Sequence, residues 1–113
     1  MRWTRGTSYV SITSIDAAAR EVTLWMNNGV RPAAAPPATV TVSLHGQLLG
    51  TVTVASGFAP YRLPIPADLA ARAATLDDPV ELKLVTAVWN PHDVIGSPDD
   101  RDLGVMVDRV AVQ

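Results

Sequence analysis

Cysteine is absent from this chain of 113 residues. Its absence excludes disulfide bonds, thiolate catalysis and zinc sites built from cysteine ligands. Histidine and glutamate are scarce, because the chain holds only His45, His92, Glu21 and Glu81 of these two types. Few histidine and glutamate side chains are therefore available for general acid–base chemistry.

Long apolar runs and an excess of basic charge are also missing. No apolar run approaches the roughly 20 residues that a bilayer-spanning helix needs, and the start of the chain lacks the apolar centre of a signal peptide. The formal net charge is -2, so a general phosphate-binding surface is not expected. The sequence predicts neither membrane insertion nor nucleic-acid binding.

Alternation of apolar and polar residues dominates what is present. Val40, Val42 and Leu44 alternate with threonine and serine, and the alternation resumes after a turn at Gly46-Gln47. This pattern predicts a β-hairpin, and similar segments elsewhere bring the expected number of strands to about seven or eight. We therefore expect an all-β fold, an antiparallel β-sandwich of jelly-roll type.

Helical patterning is confined to one segment. Asp68 precedes a run of good helix formers, so we expect at most one short helix, near 68–74. The length suits one core, and we expect a single β-sandwich domain over residues 1–113, cut from a larger protein because both ends are strand-like. The residues expected inside that core are Leu24, Val42, Leu44, Leu82, Leu84 and Val107.

Three segments of the sequence carry a resemblance. They are TVTVSLHGQLLGTVTV, YRLPIPADL and, close to the end, SPDDRDLGVMVDRVAV. Together they resemble a family of bacterial jelly-roll accessory domains that are related to carbohydrate-binding modules and often accompany membrane glycosyltransferases. His45 stands where this family usually has asparagine. The resemblance implies the jelly-roll fold and a glycan-associated parent protein, for which an extracytoplasmic location is expected.

Sugar binding requires aromatic planes beside amides, carboxylates or imidazoles, because sugars present flat apolar faces rimmed by hydroxyls. Two tryptophans have such neighbours, one on the polar face of a strand and one at the mouth of the long loop 89–100. If the strands concerned share a sheet, these groups form one concave surface. Alternatively, the tryptophans plug the ends of the sandwich. The candidate ligand-binding residues are Trp25, Asn27, His45, Trp89, Asn90 and His92.

The acidic run before the last strand admits two interpretations. Asp99, Asp100 and Asp102 supply oxygen ligands for a structural calcium ion. Their spacing differs from that of helix-loop-helix calcium sites, and Arg101 opposes a cation. We therefore favour a clamp, in which these carboxylates accept backbone N–H bonds or pair with Arg101.

Catalytic residues are not predicted. The chain has no Gly-x-Ser-x-Gly elbow, and neither Ser97 with His92 nor Asp93 with Asp99 has a spacing that defines an active site. We expect a non-catalytic carbohydrate-binding or glycan-associated module without a cofactor, whose partners are a carbohydrate ligand or domains of the parent protein. The alternative is an assembly domain whose threonine-rich face contacts protein, and the least favoured reading is a small hydrolase.

Overall fold

The computed structural model describes residues 2–4, 6–29, 31–76, 78–96 and 103–113, the side chains of residues 2, 3, 91 and 92 excepted. Its strands follow the alternating segments of the sequence, and each helix is short. In chain order the elements are β1 (Arg2–Trp3), β2 (Thr7–Ile12), β3 (Glu21–Asn27), β4 (Thr39–Leu44), β5 (Gln47–Thr53), β6 (Ala59–Pro64), α1 (Ala67–Ala74), β7 (Val80–Thr86), α2 (Pro91–Ile95) and β8 (Met106–Val112).

The strands form two antiparallel sheets of four. Sheet A has the order β1-β8-β3-β6, and sheet B has the order β2-β7-β4-β5. The chain passes from one sheet to the other at every connection except the β4–β5 hairpin. This double-sheet arrangement is that of a jelly roll, so the predicted fold class is confirmed.

Both sheets contribute alternate residues to one core. Leu24 from sheet A is fully buried, and so are four predicted core residues from sheet B, Val42, Leu44, Leu82 and Leu84. Val107, the sixth predicted core residue, packs against this core but stays partly exposed. It lies where β8 is flanked on one side by the two residues of β1.

The expectation of at most one short helix is wrong, because the described residues form two. The predicted helix α1 buries Leu69, Ala70 and Ala73. The second, α2, lies in the long loop, where the sequence gives no helical pattern because five residues are too few to show a period. Neither helix is long and apolar enough to cross a membrane.

The β4–β5 turn places His45 and Gly46 in left-handed backbone conformations, with φ of 49° and 80°. Two consecutive residues of this kind form the tight turn that matches the twist of a hairpin. Gln47 already belongs to β5, so the turn lies one residue earlier than predicted. Among the described residues other than glycine, His45 alone has a positive φ.

Candidate functional site

The residues predicted to bind a ligand lie in three separate places. Trp25 and Asn27 lie on β3, in sheet A, whereas His45 lies in the β4–β5 turn of sheet B. Trp89 and Asn90 follow β7 at one end of the sandwich, just before α2. The condition that the strands share a sheet is therefore not met, and the six residues do not form one surface.

Trp25 projects from the outer face of sheet A, where a cation covers it. Its strand neighbours are Pro60 on β6 and Arg109 on β8. The guanidinium carbon of Arg109 lies 4.0 Å from the centroid of the indole ring, which is the geometry of a cation–π contact. One face of the indole is therefore already occupied, and a sugar would have to displace Arg109 to stack there.

The two asparagines use their side-chain oxygens on the backbone. Asn27 Oδ1 accepts hydrogen bonds from the N–H groups of Gly29 and Gly57, at 2.8 and 3.1 Å. Asn90 Oδ1 accepts the N–H of Asp93 at 3.3 Å, so Asn90 caps the first turn of α2. These contacts join loops and start a helix, and they occupy the oxygens that a ligand would otherwise use.

Trp89 closes one end of the sandwich. The residue is 8% exposed, and its backbone exchanges two hydrogen bonds with the backbone of Leu103, at 2.8 and 2.7 Å. This arrangement matches the alternative interpretation of the tryptophans as plugs.

The other predicted site residues lie wholly or partly outside the described residues. His92 lies in α2 with its side chain outside the description, and Asp99, Asp100 and Asp102 lie outside the described residues. Within the described ranges, no three histidine, aspartate or glutamate side chains are placed to hold a metal ion.

Arg31 fastens the proline-rich loop to this same end of the molecule. Its guanidinium donates to the carbonyl oxygens of Pro36, Ala87 and Gly104, at 2.6, 2.8 and 2.9 Å. Burial lowers the pKa of the Arg31 guanidinium. Sequence reasoning missed this contact because an arginine in an aperiodic loop gives no signal of its distant partners.

The outer face of sheet B gathers polar side chains that the sheet leaves accessible. We call it the hydroxyl face, because seven of its side chains are serine or threonine. Its members are Thr7, Tyr9, Ser11, Thr39, Thr41, Ser43, Leu48, Thr51, Thr53, Glu81, Lys83 and Val85.

Tyr9 is the aromatic residue of the hydroxyl face, and it is 58% exposed. Lys83 lies directly opposite Tyr9 on β7, and Ser43 lies on the far side of Lys83. The next pair along is Ser11 with Glu81. An accessible phenol ring is therefore surrounded by an ammonium group, a carboxylate and hydroxyls.

His45 is the one predicted ligand-binding residue on this sheet. Its backbone N–H donates to the carbonyl oxygen of Glu81 at 3.0 Å, so it lies at the end of the row that contains Ser11 and Glu81. Sequence reasoning placed Tyr9 on a polar strand face but weighed only tryptophans as sugar platforms. The exposure of an aromatic residue amid hydroxyls on β2 was the signal that could have found this face.

Neither a protein-family model, nor a curated protein, nor a solved structure matches this chain.

Proposed function

We propose that this domain is a non-catalytic carbohydrate-binding module that holds its ligand on the hydroxyl face, with Tyr9 as the stacking platform. The observation that carries the proposal is the 58% exposure of Tyr9 beside Lys83, Ser11 and Glu81. An aromatic plane takes the apolar C–H face of a sugar ring, and the neighbouring groups bond to its hydroxyls.

The composition of the hydroxyl face favours a hydrophilic ligand over a stable protein partner. Cores of protein interfaces are depleted in lysine, glutamate and serine, and this face has all three beside its aromatic residue. The larger apolar side chains are also dispersed. Lys83 and Ser43 separate Tyr9 from Leu48 along one row of the sheet, so no continuous apolar patch forms.

The resemblance of the chain to accessory domains of sugar-handling proteins agrees with this proposal. So does the jelly-roll fold, although a fold by itself defines no activity. An open sheet face gives shallow binding, which becomes effective when several modules or several sugar units act together.

Titration with neutral oligosaccharides of different backbones tests the proposal. We expect amide NMR shifts at residues 7–11 and 81–85 at millimolar sugar. Tyr9→Ala should abolish these shifts. Trp25→Ala serves as the matched control, because it removes an aromatic side chain from the opposite outer face and should leave the binding intact.

The result can also reject the proposal. Shifts that follow Trp25 rather than Tyr9 would place the sugar on sheet A, and no shifts with any oligosaccharide would remove the proposed function.

The second candidate, an assembly domain, is favoured by the exposure of Leu48 and Val85, at 61% and 42%. A parent-protein domain that binds this face and is blocked by Val85→Lys would support it.

A further inference from the structure

We infer that the outer edge of β2, beside which no described strand lies, is a self-association surface, on which β2 of a second copy of this chain pairs in antiparallel fashion about a two-fold axis. The inference concerns the backbone of β2 and stands whether or not the hydroxyl face binds sugar. It follows from a comparison of the sheet edges with one another.

Three of the four sheet edges carry a feature that discourages pairing. The edge strand β6 contains Pro60 and Pro64 and exposes Arg62, and prolines and charges are the common protection of an edge. At the other edge of sheet A, β1 has two residues. The β5 edge is bulged against β4 between Val42 and Ser43 and lies beside β6.

β2 has none of these protections. Its six residues, Thr7–Ile12, include no proline and no charge. It pairs in regular register with β7 on one side, and in the part of the chain that the structure describes no strand lies on its other side. Strands that are regular, uncharged and rich in β-branched residues are templates for pairing with another chain.

The ladder with β7 determines which backbone groups of β2 point outward. Gly6, which continues that register, accepts a hydrogen bond from Thr86 N–H at 2.8 Å. Because bonded residues alternate in an antiparallel ladder, Thr7, Tyr9 and Ser11 direct their N–H and C=O groups away from β7. Three consecutive alternate residues thus offer about six hydrogen-bonding groups to a partner strand.

These groups are self-complementary when the two-fold axis passes beside Tyr9. Tyr9 then lies opposite the partner's Tyr9, and Thr7 lies opposite the partner's Ser11. Aromatic pairs and hydroxyl pairs across antiparallel strands are both stabilising. The absence of charge from β2 means that the symmetric pairing brings no like charges together, which makes a second copy the partner that fits.

Strand pairing alone gives a small interface. Two six-residue strands cover roughly a few hundred Å², well below the 1,200–2,000 Å² typical of stable complexes. The dimer is therefore weak and reversible, and it forms at high local concentration. In that dimer the two sheets B become one continuous sheet of eight strands.

Sedimentation velocity of the full chain, from micromolar to millimolar concentration, tests the inference. We expect the weight-average mass to rise with concentration from that of a monomer toward twice that value. Ser11→Pro removes one outward N–H without touching the β7 ladder, and it should weaken dimerisation by about tenfold or more. A melting curve establishes that this variant is folded.

Tyr9→Lys is the second variant, since it places two ammonium groups opposite each other on an exposed face and leaves the core intact. We expect it to leave the chain monomeric. Thr51→Lys is the matched control, on the same outer face but at the β5 edge, and should dimerise as the wild type does. A chain that stays monomeric up to millimolar concentration overturns the inference, as does a dimer equally stable in all three variants. Sugar titration of the wild-type chain at micromolar concentration, where it is monomeric, tests the proposed function separately.

Discussion

The two outer faces of this sandwich differ in whether their side chains contact one another or remain exposed to a ligand. On sheet A, Arg109 stacks on Trp25, and Arg62 pairs with Glu21 at 3.5 Å. Thr23 lies beneath this layer and is 4% exposed, although it projects from the outer face. Long side chains thus cover sheet A from the outside.

Among the described residues, no comparable pairing of long side chains covers the hydroxyl face of sheet B. Within the described part of the chain, neither Glu81 nor Lys83 forms an ion pair, and Tyr9 is mostly exposed. The hydroxyls of Thr41 and Thr51 lie within hydrogen-bond distance of each other, at 3.2 Å. Arg109 lies over the ring of Trp25, whereas the neighbours of Tyr9 leave it mostly exposed, and the contrast teaches that an aromatic residue is a better platform where no cation stacks on its ring.

The largest expected effect is a loss of stability on truncating a buried side chain of sheet B, compared with truncating one on its outer face. Leu84→Ala should lower the free energy of unfolding by about 2–5 kcal/mol, because it removes buried methyl groups and leaves a cavity. Val85→Ala, one residue along and on the hydroxyl face, should change it by less than about 0.5 kcal/mol. Urea denaturation of both variants measures the difference. Equal losses would show that both sides of β7 are packed.

The next effect compares the two faces directly. Trp25→Ala should cost about 1.5–3 kcal/mol, since the half-buried indole loses apolar burial and its contact with Arg109. Tyr9→Ala should cost less than about 0.5 kcal/mol, because an exposed side chain supports little. Thermal melts followed by circular dichroism check the pair. If Tyr9→Ala is the more damaging change, Tyr9 has a structural role and the hydroxyl face is covered.

The fold could be predicted well because it depends on local patterns. Alternation of apolar and polar residues marks each strand and its buried side, which is why Leu24, Leu44 and Leu82 are buried as expected. The helix α1 was also predicted, from residues that favour helix after Asp68. The five-residue helix α2 was not, because too few residues repeat for a period to be visible.

The site could not be predicted to the same degree, because it depends on which strands become neighbours. The sequence placed Trp25 and His45 on polar strand faces, but the jelly-roll order puts their strands in different sheets. Nor does a strand pattern reveal that Arg109 will lie over Trp25, a contact between strands more than 80 positions apart in the chain. The hydroxyl face is likewise assembled from β2, β7, β4 and β5, which pairing alone brings together.

The smallest effect concerns the turn that joins β4 to β5 in sheet B. A left-handed conformation such as that of His45, with φ of 49°, costs a side chain of most types about 1–2 kcal/mol, and asparagine tolerates it better. His45→Asn should therefore raise the free energy of unfolding by about 0.5 kcal/mol, since Asn-Gly is the preferred pair for this turn. The expected rise in melting temperature is about 2–4 °C.

His45→Val is the opposing control for this turn. A β-branched side chain fits the left-handed region poorly, so the melting temperature should fall, by an amount equivalent to about 1 kcal/mol. Sugar binding by the His45→Asn and His45→Val variants also tests how far the ligand site extends, because the turn lies at the end of the row that contains Ser11 and Glu81. Sugar binding unchanged in His45→Asn would confine His45 to a role in the backbone turn. Binding lost in this stabilised variant would instead extend the ligand site from Tyr9 to the imidazole.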